Sequence, residues 1–273
     1  MGDPIVVGVD GSMRALAAVE WAADDAARRR RPLRIVHACE PWAIAGRGDV
    51  SVCRGALRAA VHRARGHAPG LEIGSALLPG HPVEVLTAES AGADSVVLGS
   101  RGVGGFGGLV LGSVSLGVAG HADGPVVVVR ENPWDLFGEI VVGFDGSAPA
   151  EAALEYAIDQ ARARRTRMHV VYAWHAWPWH GSSGQAPAEE SAAARDRLAP
   201  WREKCPDIAM RESTVCDHPV AALVNASRGA EMLVVGSRGL GGPASAVLGS
   251  VSHGVLHHAP CPVAVVRPRA GGR

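Results

Sequence analysis

Lysine is all but absent from this chain of 273 residues: Lys204 is the only one, and arginine carries the rest of the basic charge. That excludes two ways of handling a nucleoside triphosphate. A Walker loop needs a Lys beside its glycines to reach the β- and γ-phosphates, and a protein kinase needs one on a strand. Net charge is missing too, with 27 basic and 27 acidic residues, so the bulk balance points to neither nucleic acid nor an anionic membrane surface. No apolar run reaches the length of a membrane span, and the start MGDPIVVGVD lacks the basic and apolar regions of a signal peptide. The five cysteines (Cys39, Cys53, Cys205, Cys216, Cys261) are odd in number and show no CxxC spacing. They read as reduced thiols, and the chain as a cytoplasmic protein. The GxSxG elbow that would seat a nucleophilic serine is also absent.

Glycine, by contrast, is plentiful, and one glycine-rich phrase occurs twice. Residues 99–113 read GSRGVGGFGGLVLGS and residues 236–250 read GSRGLGGPASAVLGS. Both copies keep the spacing Gly-x2-Gly-x9-Gly-Ser, with Gly99, Gly102, Gly112 and Ser113 in the first and Gly236, Gly239, Gly249 and Ser250 in the second. Each follows a short apolar run. Such a loop exposes backbone N–H groups, and its Gly-Ser end suits the start of a helix; both favour an anion such as phosphate. Residues 102–107 also match GxGxxG, but after the fourth strand and without opening a helix at once, so the dinucleotide fingerprint is not met.

The similarity extends beyond the glycines. Ile5 to Trp42 aligns without gaps on Ile140 to Trp177 with about half of the positions identical, and Gly92 to Arg130 aligns on Gly229 to Arg267. A period this long is a domain duplication. The domains are placed at 1–133 and 136–270, joined by a short linker at Glu131–Asp135. In each half, short β-branched runs alternate with Ala-rich stretches of helical spacing, which predicts an α/β fold with a parallel sheet. In the first half the strands are expected at 5–9, 33–38, 71–77, 95–98 and 126–129, with helices at about 14–30, 52–65, 82–91 and 113–120. In the second half strands are expected near 140–144, 169–173, 208–215, 232–235 and 263–266. Arg28 to Arg31 before Pro32 reads as a solvated helix end that complements the dipole, stopped by the proline, and Arg162, Arg164 and Arg165 repeat it.

Ligands of open α/β sheets sit at the carboxyl ends of strands where the strand order reverses. Two polar signals fall there in each half: the Gly loop, and Asp10 or Asp145 directly after the first strand. These aspartates suit ribose hydroxyls or an adenine amino group, or a turn and cap in company with Ser12 and Ser147. Ser113 and Ser250 have two compatible roles, capping the fourth helix and donating to phosphate. Arg101 and Arg238, the only cations inside the loops, either pair with phosphate oxygens or face solvent. The aromatic-rich stretch Trp174–His180, within the loop that runs to Pro187, reads as a lid or inter-domain contact in preference to a metal site. His253 and His257 have zinc-pair spacing but no third ligand, so no metal is expected.

The pattern Gly-x2-Gly-x9-Gly-Ser after strand four, with Asp after strand one and both intact in both halves, resembles the ATP-binding subgroup of the universal stress proteins, in its tandem-domain form. The resemblance implies two copies of a five-stranded parallel sheet of order 3-2-1-4-5, with helices on both faces, of the adenine nucleotide alpha-hydrolase-like kind. It assigns adenosine contacts to Asp10 and Ala38, and phosphate and ribose contacts to Gly99, Gly102, Gly112, Ser113 and Val114. In the second half the same roles fall to Asp145, Ala173, Gly236, Gly239, Gly249, Ser250 and Val251. The expected ligand is ATP, with Mg2+ as its companion ion, and the expected role is a non-enzymatic, nucleotide-dependent sensor or regulatory module of the stress response, with a regulatory protein as partner. The alternatives are a slow ATPase or phosphotransferase, and a scaffold with vestigial sites. The family's last strand commonly pairs across a dimer, which implies an intramolecular pseudo-dimer, with homodimerisation a further option.

Overall fold

The computed structural model describes residues 2–39, 50–102, 111–130, 138–174, 188–239 and 247–269. The linker at 131–135, the middle of each Gly loop (103–110 and 240–246) and residues 175–187 after Trp174 lie outside the described residues. Contacts divide the chain into two compact units, Met1–Asn132 with Arg269–Arg273, and Pro133–Pro268.

The first unit runs β1 (Ile5–Gly8), α1 (Met13–Arg29), β2 (Leu33–Cys39), α2 (Val50–His67), β3 (Ile73–Pro79), α3 (Pro82–Ser90), β4 (Ser95–Gly99), α4 (Ser113–His121) and β5 (Val126–Val129). Its strands lie in the order β3-β2-β1-β4-β5, all parallel, with Ile5 beside both Leu33 and Ser95, and Val96 beside Val126. The second unit repeats the sequence with β6 (Glu139–Gly143), α5 (Ala148–Arg164), β7 (Arg167–Trp174), α6 (Ala188–Lys204), β8 (Met210–Cys216), α7 (Pro219–Ala226), β9 (Met232–Gly236), α8 (Ser250–His258) and β10 (Val263–Val266). Its order is β8-β7-β6-β9-β10, the same arrangement, with Ile140 beside Met168 and Met232. The strands of each unit therefore have the order 3-2-1-4-5 that the resemblance implied.

The strands form where they do because helices cover both faces. IVVG of β1, VVVV of β5 and VAVV of β10 are buried at every residue, the continuous apolar pattern of a parallel sheet. The edge strands β3 and β8 are half-exposed and correspondingly more polar. Alanine sets the spacing on one side. Ala15, Ala18, Ala22, Ala23 and Ala26 of α1 are buried, so the helix lies close on the sheet. Ser12 and Ser147 cap α1 and α5 by accepting from the N–H of Ala15 and Ala150.

The helix ends depart from expectation in two ways. α1 and α5 stop on left-handed residues, Arg30 (φ 52°) and Arg165 (φ 53°), and the Arg31 and Thr166 N–H groups bond back to Ala26 and Ala161 at 2.9 and 3.0 Å. The stop is thus a Schellman-type cap, and Pro32 only follows it. Nor is the basic run wholly solvated. Arg29, with 8% of its side chain exposed, turns inward to Asp94 (2.5 Å) and Asp25 (3.4 Å). Arg164 does the same with Glu231 (3.4 Å) and Gln160. A buried carboxylate at position 25 or 94 needs that partner, which outweighs the hydration an arginine would gain outside.

Candidate functional site

In both units the strand order reverses between the first and fourth strands, and the polar signals of the sequence meet at that point. β1 ends in Asp10-Gly11-Ser12. Gly11 is left-handed (φ 89°), as is Gly146 (φ 78°) in the second unit, a conformation that costs glycine nothing. The turn brings Asp10 Oδ1 to the Ser12 N–H at 2.9 Å, and Asp145 Oδ1 to the Ser147 N–H at 2.9 Å and to its hydroxyl at 2.6 Å. The turn-residue reading of these aspartates is therefore correct for one oxygen. The other has a different neighbour. A Cβ placed on Gly102 would run into Asp10 Oδ2, and one on Gly239 into Asp145 Oδ2.

The glycines of the repeated phrase are therefore matters of space more than of dihedral freedom. None of the six has a left-handed φ. A Cβ on Gly99 would lie 2.8 Å from the backbone carbonyl group of Arg14, and one on Gly236 2.7 Å from the backbone of Pro149. That closeness lets the first helix pack against the end of the fourth strand. Gly112 and Gly249 close the loop: their N–H groups donate to the carbonyls of Ser100 and Ser237 at 2.7 and 2.8 Å. A side chain there would meet the Cα of Arg101 at 3.4 Å or of Arg238 at 3.2 Å, a milder conflict.

The fourth helix corrects one expectation. Its N-cap is Gly112 in α4 and Gly249 in α8, and neither cap has a side-chain hydrogen bond. Ser113 and Ser250 are the first helical residues, exposed, with Val114 and Val251 half-buried behind them. A serine at that position is past the cap and does not fill its role. With no side-chain cap, the first-turn N–H groups and the positive end of the helix dipole suit an anion. Arg101 and Arg238 are half-buried at the loop entry. Arg101 Nε is buried with no hydrogen-bond partner among the described residues, which sets aside the solvent-facing placement for that atom. A buried donor left unpaired costs about 1–3 kcal/mol unless something accepts from it. Ala38 and Ala173 sit half-buried near the ends of β2 and β7, opposite Leu78 and Val215, one strand over from the aspartates.

Two features escaped sequence reasoning. Ser115 Oγ donates to the Gly99 carbonyl at 2.7 Å, and Ser252 Oγ lies 3.0 Å from the Ser237 carbonyl and 2.9 Å from that of Gly249. Both serines are buried and tie the fourth helix to its strand. The signal was present, since Gly-Ser-Val-Ser stands in both copies. Arg197 of α6 reaches the Asp145 carbonyl at 3.2 Å; it lies where the halves diverge, so no repeat marked it. A further correction concerns the thiols. Cys39 at the end of β2 and Cys53 in α2 form a disulfide, with Cα atoms 6.5 Å apart, while Cys205, Cys216 and Cys261 remain thiols. α2 packs back on β2, so residues fourteen apart meet without a CxxC spacing. The His253 and His257 rings stand 4.7 Å apart, but no third ligand joins them among the described residues.

The profile described as the universal stress protein family matches residues 1–130 and again residues 137–267. A universal stress protein of Mycobacterium tuberculosis is 37% identical over 96% of this chain and 96% of its own. Among solved structures, a universal stress protein of Archaeoglobus fulgidus superposes with a TM-score of 0.74 over 98% of this chain and 97% of its own, at 20% identity. Another from Archaeoglobus fulgidus, solved in complex with dAMP, covers 46% of this chain and 96% of its own at 29% identity, with a TM-score of 0.39. This chain belongs to the universal stress protein family, with two domains of that family in tandem.

Proposed function

We propose that each unit holds one adenine nucleotide, ATP with Mg2+ being the first candidate, and that the chain acts as a stress-response sensor that signals to a regulatory protein without turning the nucleotide over. The observation that carries the reading is the apposition of Asp10 with Gly102, repeated in Asp145 with Gly239. A carboxylate oxygen for ribose or adenine and an uncapped helix start for phosphate stand at one strand-order reversal, twice. The choice of ATP comes from the intact Gly-x2-Gly-x9-Gly-Ser pattern of the ATP-binding subgroup. The non-catalytic reading is supported by the lysine inventory. Lys204 ends α6 with its ammonium over the Trp201 ring at 4.9 Å, and phosphoryl transfer of the Walker or kinase kind needs a lysine on the phosphates.

Thermal unfolding with and without nucleotide tests this. A ligand at a hundredfold excess over its Kd adds about 2.7 kcal/mol to the state that binds it. ATP should therefore raise the midpoint, with phosphate release no faster than in a buffer blank. No shift with ATP, ADP or AMP would overturn the binding reading, and steady phosphate release abolished by Asp10→Ala with Asp145→Ala would favour the slow ATPase.

A further inference from the structure

β2 places Leu33, Ile35, His37 and Cys39 on one face of the sheet by the period of two. α2 packs on β2 and brings Cys53 to that face. The ligand atoms of His37, Cys39 and Cys53 all lie within 4.8 Å of one another. His37 is 8% exposed, and its Nδ1 is buried with no hydrogen-bond partner among the described residues. The ring bonds to the Val9 backbone. Since Nδ1 is the unpartnered nitrogen, Nε2 is the donor to that backbone, and Nδ1 of the neutral ring carries a lone pair. A buried lone pair beside two sulfurs is an acceptor with nothing to accept. This is the arrangement of a metal-ligating imidazole whose other nitrogen is fixed by a backbone carbonyl.

We propose that His37 Nδ1 and the thiolates of Cys39 and Cys53 form a site for one thiophilic divalent cation, zinc fitting best, which exists in the reduced protein and is abolished by the disulfide. Two sulfurs and one imidazole are a borderline-soft donor set suited to tetrahedral zinc. At the usual Zn–S and Zn–N lengths the ligand atoms of such a site stand roughly 3.5–3.8 Å apart, so the three groups need only small movements once the S–S bond opens. Cys53 is half-exposed, which leaves an entry and a fourth position for water. A dithiol reductant opens the bond: it gives two electrons and two protons to the Cys39–Cys53 pair and becomes a disulfide itself. Zinc then displaces both thiol protons and binds the two thiolates and the imidazole. The second unit has Tyr172 and Trp174 where the first has His37 and Cys39, so the stoichiometry is one cation per chain. The inference does not depend on nucleotide binding.

The test titrates the full chain with Co2+ as a spectroscopic probe and with Zn2+ by calorimetry, after dithiol reduction and anaerobic removal of the reductant. The expected result is one equivalent per chain, with thiolate-to-cobalt charge-transfer bands, and no binding to the disulfide form. Cys39→Ser and Cys53→Ser should each abolish the bands, His37→Gln should weaken binding at least tenfold, and Cys216→Ser should change nothing. Should the serine variants fail to fold, the wild type suffices. Zinc must then protect Cys39 and Cys53 together from alkylation, read by mass spectrometry, while Cys216 stays reactive. No binding by the folded, reduced protein would overturn the proposal. So would binding that persists in a folded Cys39→Ser, Cys53→Ser double variant.

Discussion

The two units agree at the strand-order reversal and disagree one strand away from it. Asp10 and Asp145 face Gly102 and Gly239 in the same way and accept from the serine two residues on. Ser115 and Ser252 each bond back to a carbonyl at or just past the end of the fourth strand, that of Gly99 in one unit and of Ser237 in the other. On the second strand, Arg34, His37 and Cys39 of the first unit give way to His169, Tyr172 and Trp174. The agreement follows close packing: a Cβ on Gly102 or Gly239 would collide with the carboxylate of Asp10 or Asp145. The divergence falls on both faces of the second strand, at Arg34 and His169 on one and at the pairs His37–Tyr172 and Cys39–Trp174 on the other. What the halves share marks the site; what they do not share gives each unit properties of its own.

That comparison can be broken most severely at the buried ion pairs below the site. Arg29→Ala removes one ion-pair partner from Asp25, which is 0% exposed, and one from Asp94, at 11%, which keeps Arg31 at 3.3 Å. Loss of up to about 3–5 kcal/mol is expected, the cost of removing one partner from a buried ion pair. Arg164→Ala removes a partner from Glu231, at 24% exposure, with neutral Gln160 in the place of Asp25, so its loss should be clearly smaller. Denaturant unfolding of the two variants checks the order.

At the site itself, Gly102→Ala should weaken nucleotide binding to the first unit at least tenfold, about 1.4 kcal/mol, because the new methyl group meets Asp10 Oδ2. Gly112→Ala should cost much less, since its Cβ would find only a contact at 3.4 Å. Equal losses in calorimetric titrations would mean that the loop needs glycine for its dihedral freedom and not for space.

A smaller difference is acid sensitivity. His169 donates from Nε2 to Ser213 Oγ (2.6 Å) and accepts at Nδ1 from Arg211 (2.8 Å), with Glu139 4.0 Å away. Burial and then the Arg211 charge hold its pKa below 6.5. The unfolded chain therefore binds a proton that the folded unit refuses. This contribution to stability is complete above about pH 6.5 and is lost as the pH falls from there through the lower folded value. Its counterpart Arg34 pairs with Glu89 at 2.5 Å and stays charged throughout. His169→Gln should flatten the pH dependence of unfolding in that window. Smallest of all, Arg197→Ala removes one exposed hydrogen bond to the Asp145 carbonyl. It should weaken the second nucleotide site alone, by about 0.5–1 kcal/mol.

Most of the fold was legible because it is written in local chemistry. Buried parallel strands read as unbroken runs such as Val126–Val129, and the duplication showed which glycines matter. The reason they matter was not legible. Sequence suggested exposed N–H groups for an anion, whereas Gly99 and Gly102 are needed for contacts with Arg14 and Asp10, residues some 85 to 92 positions earlier in the chain. The Cys39–Cys53 pair was hidden for the same reason. Its two thiols meet through the packing of α2 on β2, and no spacing rule encodes that packing. Likewise Arg29 looked like one cation in a surface run because its partner Asp94 lies on the far side of two strands in sequence.

The central claim is that the repeated Asp–Gly apposition builds two independent nucleotide sites. Calorimetric titration of ATP into the wild type, Asp10→Ala, Asp145→Ala and the double variant tests it most directly. The account predicts two equivalents bound per chain, one in each single variant and none in the double variant. ATP bound at full stoichiometry by the double variant, or not bound at all by the wild type, would contradict it.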